Sequence, residues 1–263
     1  MATGWFDLVT AAFGGGVSVK LLDYVYREYV RQSTEKKTAR RLIDRNLDPI
    51  LKSADELVGK LGYLARTDFA ELPLDIPRTG TAFQNWFPHL ELLYLFAQFW
   101  SRMQILRLES VLFNVSRDKR GAKLLDFFKT LESSQVRIVG RGWQRGIGEA
   151  LIERQGQDYR TITYYDFAQR FLSDPLFNRW FQPLVDILAR SHHTKERQQV
   201  LVYGAVLHAL LDTLDETHAV SRDTTAWPNK LTQKSRRALE YRTFKVYLPF
   251  VKSPRKYTRT GTD

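Results

Sequence analysis

The chain contains no cysteine. Disulfides, thiolate nucleophiles and cysteine-held metals are therefore excluded, although the absence names no compartment. Alternating apolar and polar runs are almost missing too. "VRIV" (136–139) and "FKVYLPFV" (244–251) are the only short strand candidates. No internal repeat and no low-complexity tract is present. At the N-terminus the uncharged run extends only from Leu8 to Val19. As a helix it covers ~18 Å, well short of ~30 Å of hydrocarbon.

Acidic residues are the minority. Among 263 residues, 40 Lys and Arg stand against 29 Asp and Glu, a net charge of +11. Such an excess favours anionic partners: nucleic acid, acidic lipid head groups or acidic proteins. Most of it is local. From Lys230 onward ten basic residues face only Glu240 and Asp263. A second run, Arg27, Arg31, Lys36, Lys37, Arg40, Arg41 and Arg45, faces Glu28, Glu35 and Asp44. Apolar content of 43 % is enough for a real core, in one large or two small domains.

What is present in quantity is helical periodicity. "ILKSADELVGKLGYLAR" places Ile50, Leu51, Ala54, Leu57, Val58 and Leu61 on one face. Pro73, Pro77, Gly80 and Pro88 mark a connection. "HLELLYLFAQFWSRMQILRLESVLFNV" then predicts a long central helix, apolar on more than one face near Leu92 to Trp100. Its Glu91, Gln98, Arg102, Gln104, Arg107 and Glu109 argue against a membrane span. "DKRGAKLLDFFKTLESS" and "WQRGIGEALIER" predict shorter helices. Asp174-Pro175 divides the next stretch in two, with the proline where a helix starts. A long helix opens at Thr194. The pattern predicts an all-α multi-helix bundle with a long N-terminal helix. We divide it into 1–26, an apolar anchor or helix start; 27–220, the bundle; and 221–263, the basic C-terminal segment.

The start of the chain admits two readings. Gly14, Gly15 and Gly16 disfavour a water-exposed helix, at roughly 1 kcal/mol each, and Trp5, Tyr24 and Tyr26 stand where interfacial aromatic anchors would. No Lys or Arg precedes Lys20, whereas seven lie between 27 and 45, which places the bulk of the chain on the cytoplasmic side. The other reading is a glycine-rich loop followed by a water-soluble helix from Val17 to about Asp44.

Three constellations hint at chemistry. Gly142, Gly146, Ile147 and Gly148 after "VRIV" look like the cofactor loop of short-chain dehydrogenases, and Tyr241 to Lys245 ("YRTFK") echoes their Tyr-x-x-x-Lys. That fold needs the glycines near its start and alternating strands and helices after them, and neither is found here. Within the same stretch Gln144, Arg145 and Glu149 form a candidate polar cluster. His208, Asp212, Asp215 and His218 fall along one helical face with ligand chemistry, but no second Glu-x-x-His faces them. No metal or cofactor is assigned. The basic C-terminal segment interleaves aromatics among Arg236, Arg237, Arg242, Lys245, Lys252, Arg255 and Lys256. That mixture suits phosphate contact with a lipid surface or with nucleic acid.

"LFAQFWSRMQILR" (Leu95 to Arg107), "QRGIGE" (Gln144 to Glu149) and "LLDTLDE" (Leu210 to Glu216) resemble an uncharacterised group of bacterial membrane-proximal helical proteins with a QRxIGE-like motif. The likeness spans roughly residues 8 to 216. The charged interruptions at the N-terminus and the basic C-terminal segment depart from it. It implies a helical fold beside a membrane and supplies no catalytic residue. The expectation is a membrane-associated structural or regulatory protein on the cytoplasmic side, with an anionic membrane surface and a protein as partners. A soluble cytoplasmic nucleic-acid binder and an enzyme built around Gly142 to Glu149 are the alternatives.

Overall fold

The structure is a computed structural model that describes residues 17–70, 72, 87–111, 114–156 and 158–260. Trp5 and the Gly14 to Gly16 patch lie outside them. Helix α1 runs from Val17 to Arg66 as one piece of 50 residues. The sequence reading ends one helix at about Asp44 and starts the next at Ile50, yet the helix runs on through Pro49. The cost of a helix-interior proline is about 3 kcal/mol. It is offset by Ile43, Leu47, Ile50, Leu51 and Ala54, all buried on the same side of the helix across that point. Pro49→Ala is therefore expected to raise stability by about 1–3 kcal/mol, visible as a higher urea midpoint with an unchanged slope.

Helix α2 (Phe87–Glu109) is buried on nearly every side from Leu90 to Leu106, as its unbroken apolar run predicts. Asp118 caps α3 (Lys119–Leu131), accepting from Arg120 N at 2.9 Å and Gly121 N at 3.1 Å. Helix α4 (Arg141–Ala150) crosses α2 closely. An antiparallel hairpin follows, β1 (Ile152–Gln155) paired with β2 (Asp158–Thr161) in the register Ile152↔Thr161 and Gln155↔Asp158. Gly156 turns it with a φ of 64°, a conformation that glycine adopts without strain. Thr163 caps α5 (Tyr164–Ser173), and Asp174 with Pro175 caps α6 (Pro175–Ala189), the second boundary as expected. Helix α7 (Thr194–Leu214) is buried almost throughout from Val200 to Leu211. Helices α1, α2, α4 and α7 pack around one core.

The strand expectations are corrected. Residues 136–139 form turns, because Gln199 on α7 takes the carbonyls of Arg137 (2.8 Å) and Ile138 (2.7 Å). Val136, Ile138 and Val139 are buried beneath them. Residues 244–251 are helical and turn. The basic C-terminal segment is part of the body. Thr232 caps α8 (Gln233–Ala238), which continues through a π-helical stretch, Leu239–Phe244, into α9 (Lys245–Tyr247). A last turn, α10, spans Arg255–Thr258. Leu239, Phe244, Leu248, Val251 and Tyr257 join the same core as the bundle.

Among the described residues no helix is long and apolar enough to cross a membrane. The upstream part of α1 carries Lys20, Asp23, Arg27 and Glu28, too much charge for a span of this length. Among the described side chains the first buried one is Ala39. Upstream of it Tyr24 and Tyr26 are 70 % and 67 % exposed, as are Tyr29 and Val30 on the Tyr26 side of the helix.

Candidate functional site

The "QRGIGE" stretch is the inside of α4, not a loop, so its glycines cradle no phosphate. Each position has a packing role instead. Gly148 lies against the backbone of Trp100, where a Cβ would come within 2.8 Å of the carbonyl. Gly146 lies under the ring of Trp180, at 2.5 Å from a would-be Cβ. Ile147 is in the core. Gln144 is buried. With its amide oriented to satisfy both neighbours, it donates to the Val139 carbonyl at 3.2 Å and accepts from Trp100 Nε1 at 3.2 Å. Trp100 Nε1 also donates to Tyr203 OH at 2.7 Å.

Arg145 and Glu149 do not complete that cluster. Arg145 reaches the buried carboxylate of Glu132, at 2.9 Å through Nη2 and 3.3 Å through Nε. Arg107 meets Oε1, which also accepts from Arg145 Nε, at 2.7 Å, and Arg141 stands 3.9 Å from Oε2. Burial pushes the Glu132 carboxyl up, but the hydrogen bonds and charges of Arg145 and Arg107 outweigh it and hold the group below its ordinary value. A carboxylate so held is a clamp joining α2, α3 and α4. Glu149 is exposed. Sequence reasoning missed Glu132, whose partners lie 13 and 25 residues away.

Of the row His208, Asp212, Asp215 and His218, only Asp215 leaves: His208 Nε2 and His218 Nε2 stand 3.8 and 3.7 Å from Asp212 Oδ1. Asp215 turns away and accepts from the backbone N–H groups of Ala219, Val220 and Ser221, at 2.9, 3.0 and 2.7 Å. Asp212 takes Lys256 at 2.8 Å and the hydroxyl of Tyr257. Among the described residues no cluster of ligating side chains has the arrangement of a metal site. His208 is buried, which lowers its pKa, and its Nε2 lies 3.3 Å from Thr224 Oγ1 and 3.8 Å from Asp212 Oδ1. A nucleophile relay needs the carboxylate on one ring nitrogen and the hydroxyl on the other. Here both face the same nitrogen, so the trio is a structural knot between α7 and the C-terminal segment.

The basic residues sort by partner. Lys252 is paired with Glu216 at 2.8 Å, and Lys256 with Asp212. Arg236 is half-buried and turns inward, its Nη1 3.5 Å from Thr260 Oγ1. Arg237, Arg242, Lys245 and Arg255 are exposed and have no acidic partner among the described residues. Lys234 and Tyr241 belong with them. Lys234, Arg237, Tyr241 and Arg242 line a surface concavity of about 400 Å³ on the helical run 233–247. Tyr241, Val246 and Tyr247 are exposed apolar side chains beside these cations. The π-helical stretch, with its wider turn, brings Tyr241 and Arg242 to the same side. Lys234, Arg237, Tyr241 and Lys245 follow a spacing of i, i+3, i+7 and i+11, the signal that the sequence held for this face. Glu240 is the one acid on the run.

What the site can do follows from its chemistry. It offers four cations that the fold leaves uncompensated, donors without acceptors, and flat rings between them. That set is chemically suited to phosphate esters. Neither a family model, nor a curated protein, nor a solved structure matches this chain.

Proposed function

We propose that the protein is a peripheral, non-catalytic protein of the cytoplasmic membrane face, docking on acidic lipid phosphates through the helical run 233–247. One observation carries this reading: Lys234, Arg237, Arg242 and Lys245 are exposed and have no carboxylate partner among the described residues, while Lys252 and Lys256 are paired with Glu216 and Asp212. Charge held uncompensated on a rigid element gains most from an external anion. At about 1 kcal/mol per residue near acidic lipid, the four contribute about 4 kcal/mol, or a thousandfold in partitioning.

Lipid is favoured over nucleic acid by the neighbours. Val246 is 62 % exposed beside Lys245, an aliphatic group that suits the acyl boundary and gives nothing to a base or a phosphate. The upstream part of α1 adds Tyr24, Tyr26, Tyr29 and Val30 among Arg27 and Arg31, the same mixture of ring and cation. The resemblance to membrane-proximal helical proteins points the same way. A protein that also binds the docked body supplies the scaffolding role.

Sedimentation of the full chain with vesicles tests it. Retention is expected on phosphatidylglycerol-containing vesicles and not on pure phosphatidylcholine, falling steeply with salt. Retention on duplex DNA with no vesicle binding would replace the reading with the nucleic-acid one.

A further inference from the structure

A second surface lies away from the basic helix, between the C-terminal half of α1 and the strap 222–230. Two clefts of about 640 and 690 Å³ meet there and share Gly62, Arg66, Thr224, Thr225 and Trp227. Sizes in this range accept a small organic ligand. Glycines shape the junction. The six-membered edge of Trp227 sinks against α1 and α7 because Gly62 and Gly204 carry no Cβ, which would approach the ring to 3.1 and 2.8 Å. Gly59 in the same way admits the guanidinium of Arg222, at 2.7 Å from a would-be Cβ.

Charge accounting singles out one residue. Lys60 pairs with Glu91, Arg222 with Asp55 at 2.8 Å, Lys230 with Asp68 at 3.1 Å and Lys256 with Asp212 at 2.8 Å. Arg66 lines both clefts and has no ion pair or hydrogen bond among the described residues. Its Nη1 lies beside the Trp227 ring, both within 4 Å of the Gly62 would-be Cβ. Glu56, at the far end of one cleft, is ten residues away on α1, or ~15 Å along the helix. Trp227 is only 8 % exposed, and its indole N–H has no acceptor among the described residues. Tyr63, Tyr94, Leu95 and Tyr164 supply the flat apolar wall.

We propose that this junction binds a small planar organic molecule bearing one anionic group. The guanidinium of Arg66 takes the carboxylate or phosphate as a fork, and the ring body lies along Trp227 and Tyr63. A guanidinium left unpaired beside an indole in a concave site is suited to that pairing of charge and plane. The site is independent of the lipid-docking helix.

Calorimetric titration of the full chain tests this with four probes: 1-naphthoate, adenosine monophosphate, uncharged 1-naphthamide and inorganic phosphate. Either or both ring-bearing anions are expected to bind below about 1 mM, with a raised melting temperature. 1-Naphthoate alone identifies a carboxylate ligand and the nucleotide alone a phosphate one. The amide and inorganic phosphate should bind at least about tenfold more weakly, and Arg66→Gln, at an exposed position, should weaken the best anion by about tenfold or more. Absence of binding by both ring-bearing anions, equal binding of the amide, or undiminished binding by a folded Arg66→Gln protein would each overturn it.

Discussion

Gly148→Ala is expected to destabilise the protein by about 3 kcal/mol, and Gly148→Val by more, enough to leave the chain largely unfolded if its total stability is ordinary. The reason is the crossing of α2 and α4. The missing side chain is replaced by the backbone of Trp100, with its carbonyl oxygen and carbon both 2.8 Å from a Cβ and Ser101 N 3.1 Å away. Backbone cannot rotate aside as a side chain can. Separating the helices would open the core around Phe96, Trp100, Ile147 and Tyr203 and break the hydrogen bonds of Gln144 and Trp100. Two neighbours serve as controls. Gly146 meets only the ring of Trp180, which is 45 % exposed and can swing outward, so its alanine variant loses less. Gly142 meets nothing within 4 Å in the same helix. Gly142→Ala should gain about 0.5–1 kcal/mol from helix propensity alone. Urea denaturation of the three variants gives the order 142, 146, 148; a mild effect at 148 would mean that the helices do not cross this closely.

Acid will weaken the fold by about 3 kcal/mol between pH 6.5 and pH 4 through His89 alone. This imidazole is 1 % exposed near the start of α2, and among the described residues neither ring nitrogen has a hydrogen-bond partner. Burial pushes its pKa down from 6.5 to about 4. The folded protein therefore holds the neutral ring, while the unfolded chain takes up a proton as the pH falls through 6.5. Stability from this group is complete above that value, is lost progressively on the way down to about 4, and changes no further below. His208, buried and likewise lowered, adds a loss of the same sign. His89→Leu should remove most of the acid slope. It should also raise stability at neutral pH, because an unpaired buried polar ring is replaced by an apolar side chain. Denaturation at several pH values checks both. A variant with the same acid slope as the parent would place the proton elsewhere.

Much of the architecture was legible in the residues. Apolar spacing marks α1, α3 and α7, and Asp174-Pro175 gives both the cap and the first position of α6. The continuity of α1 through Pro49 was not legible, because a proline's penalty is local and the burial that outweighs it is tertiary. The hairpin hid because Glu153, Arg154, Gln155, Asp158 and Arg160 give strands with almost no apolar side. What holds it is distant: Ser101 Oγ meets Thr161 Oγ1 at 2.6 Å, 60 residues apart. The site was legible as composition and not as pairing. Arg237 and Lys256 read alike in the chain. Only the fold shows that Lys256 is matched by a carboxylate 44 residues upstream while Arg237 is left open. The π-helical stretch had no local signal, since Leu239 and Phe244 are placed by burial alongside Tyr257.

The most direct test of the account is vesicle sedimentation of the full chain in which Lys234, Arg237, Arg242 and Lys245 are all changed to Gln. These side chains are exposed, so the melting temperature should hold. Partitioning onto phosphatidylglycerol vesicles should fall by about a thousandfold. Undiminished retention by the folded variant would contradict the assignment of the membrane surface to this helix.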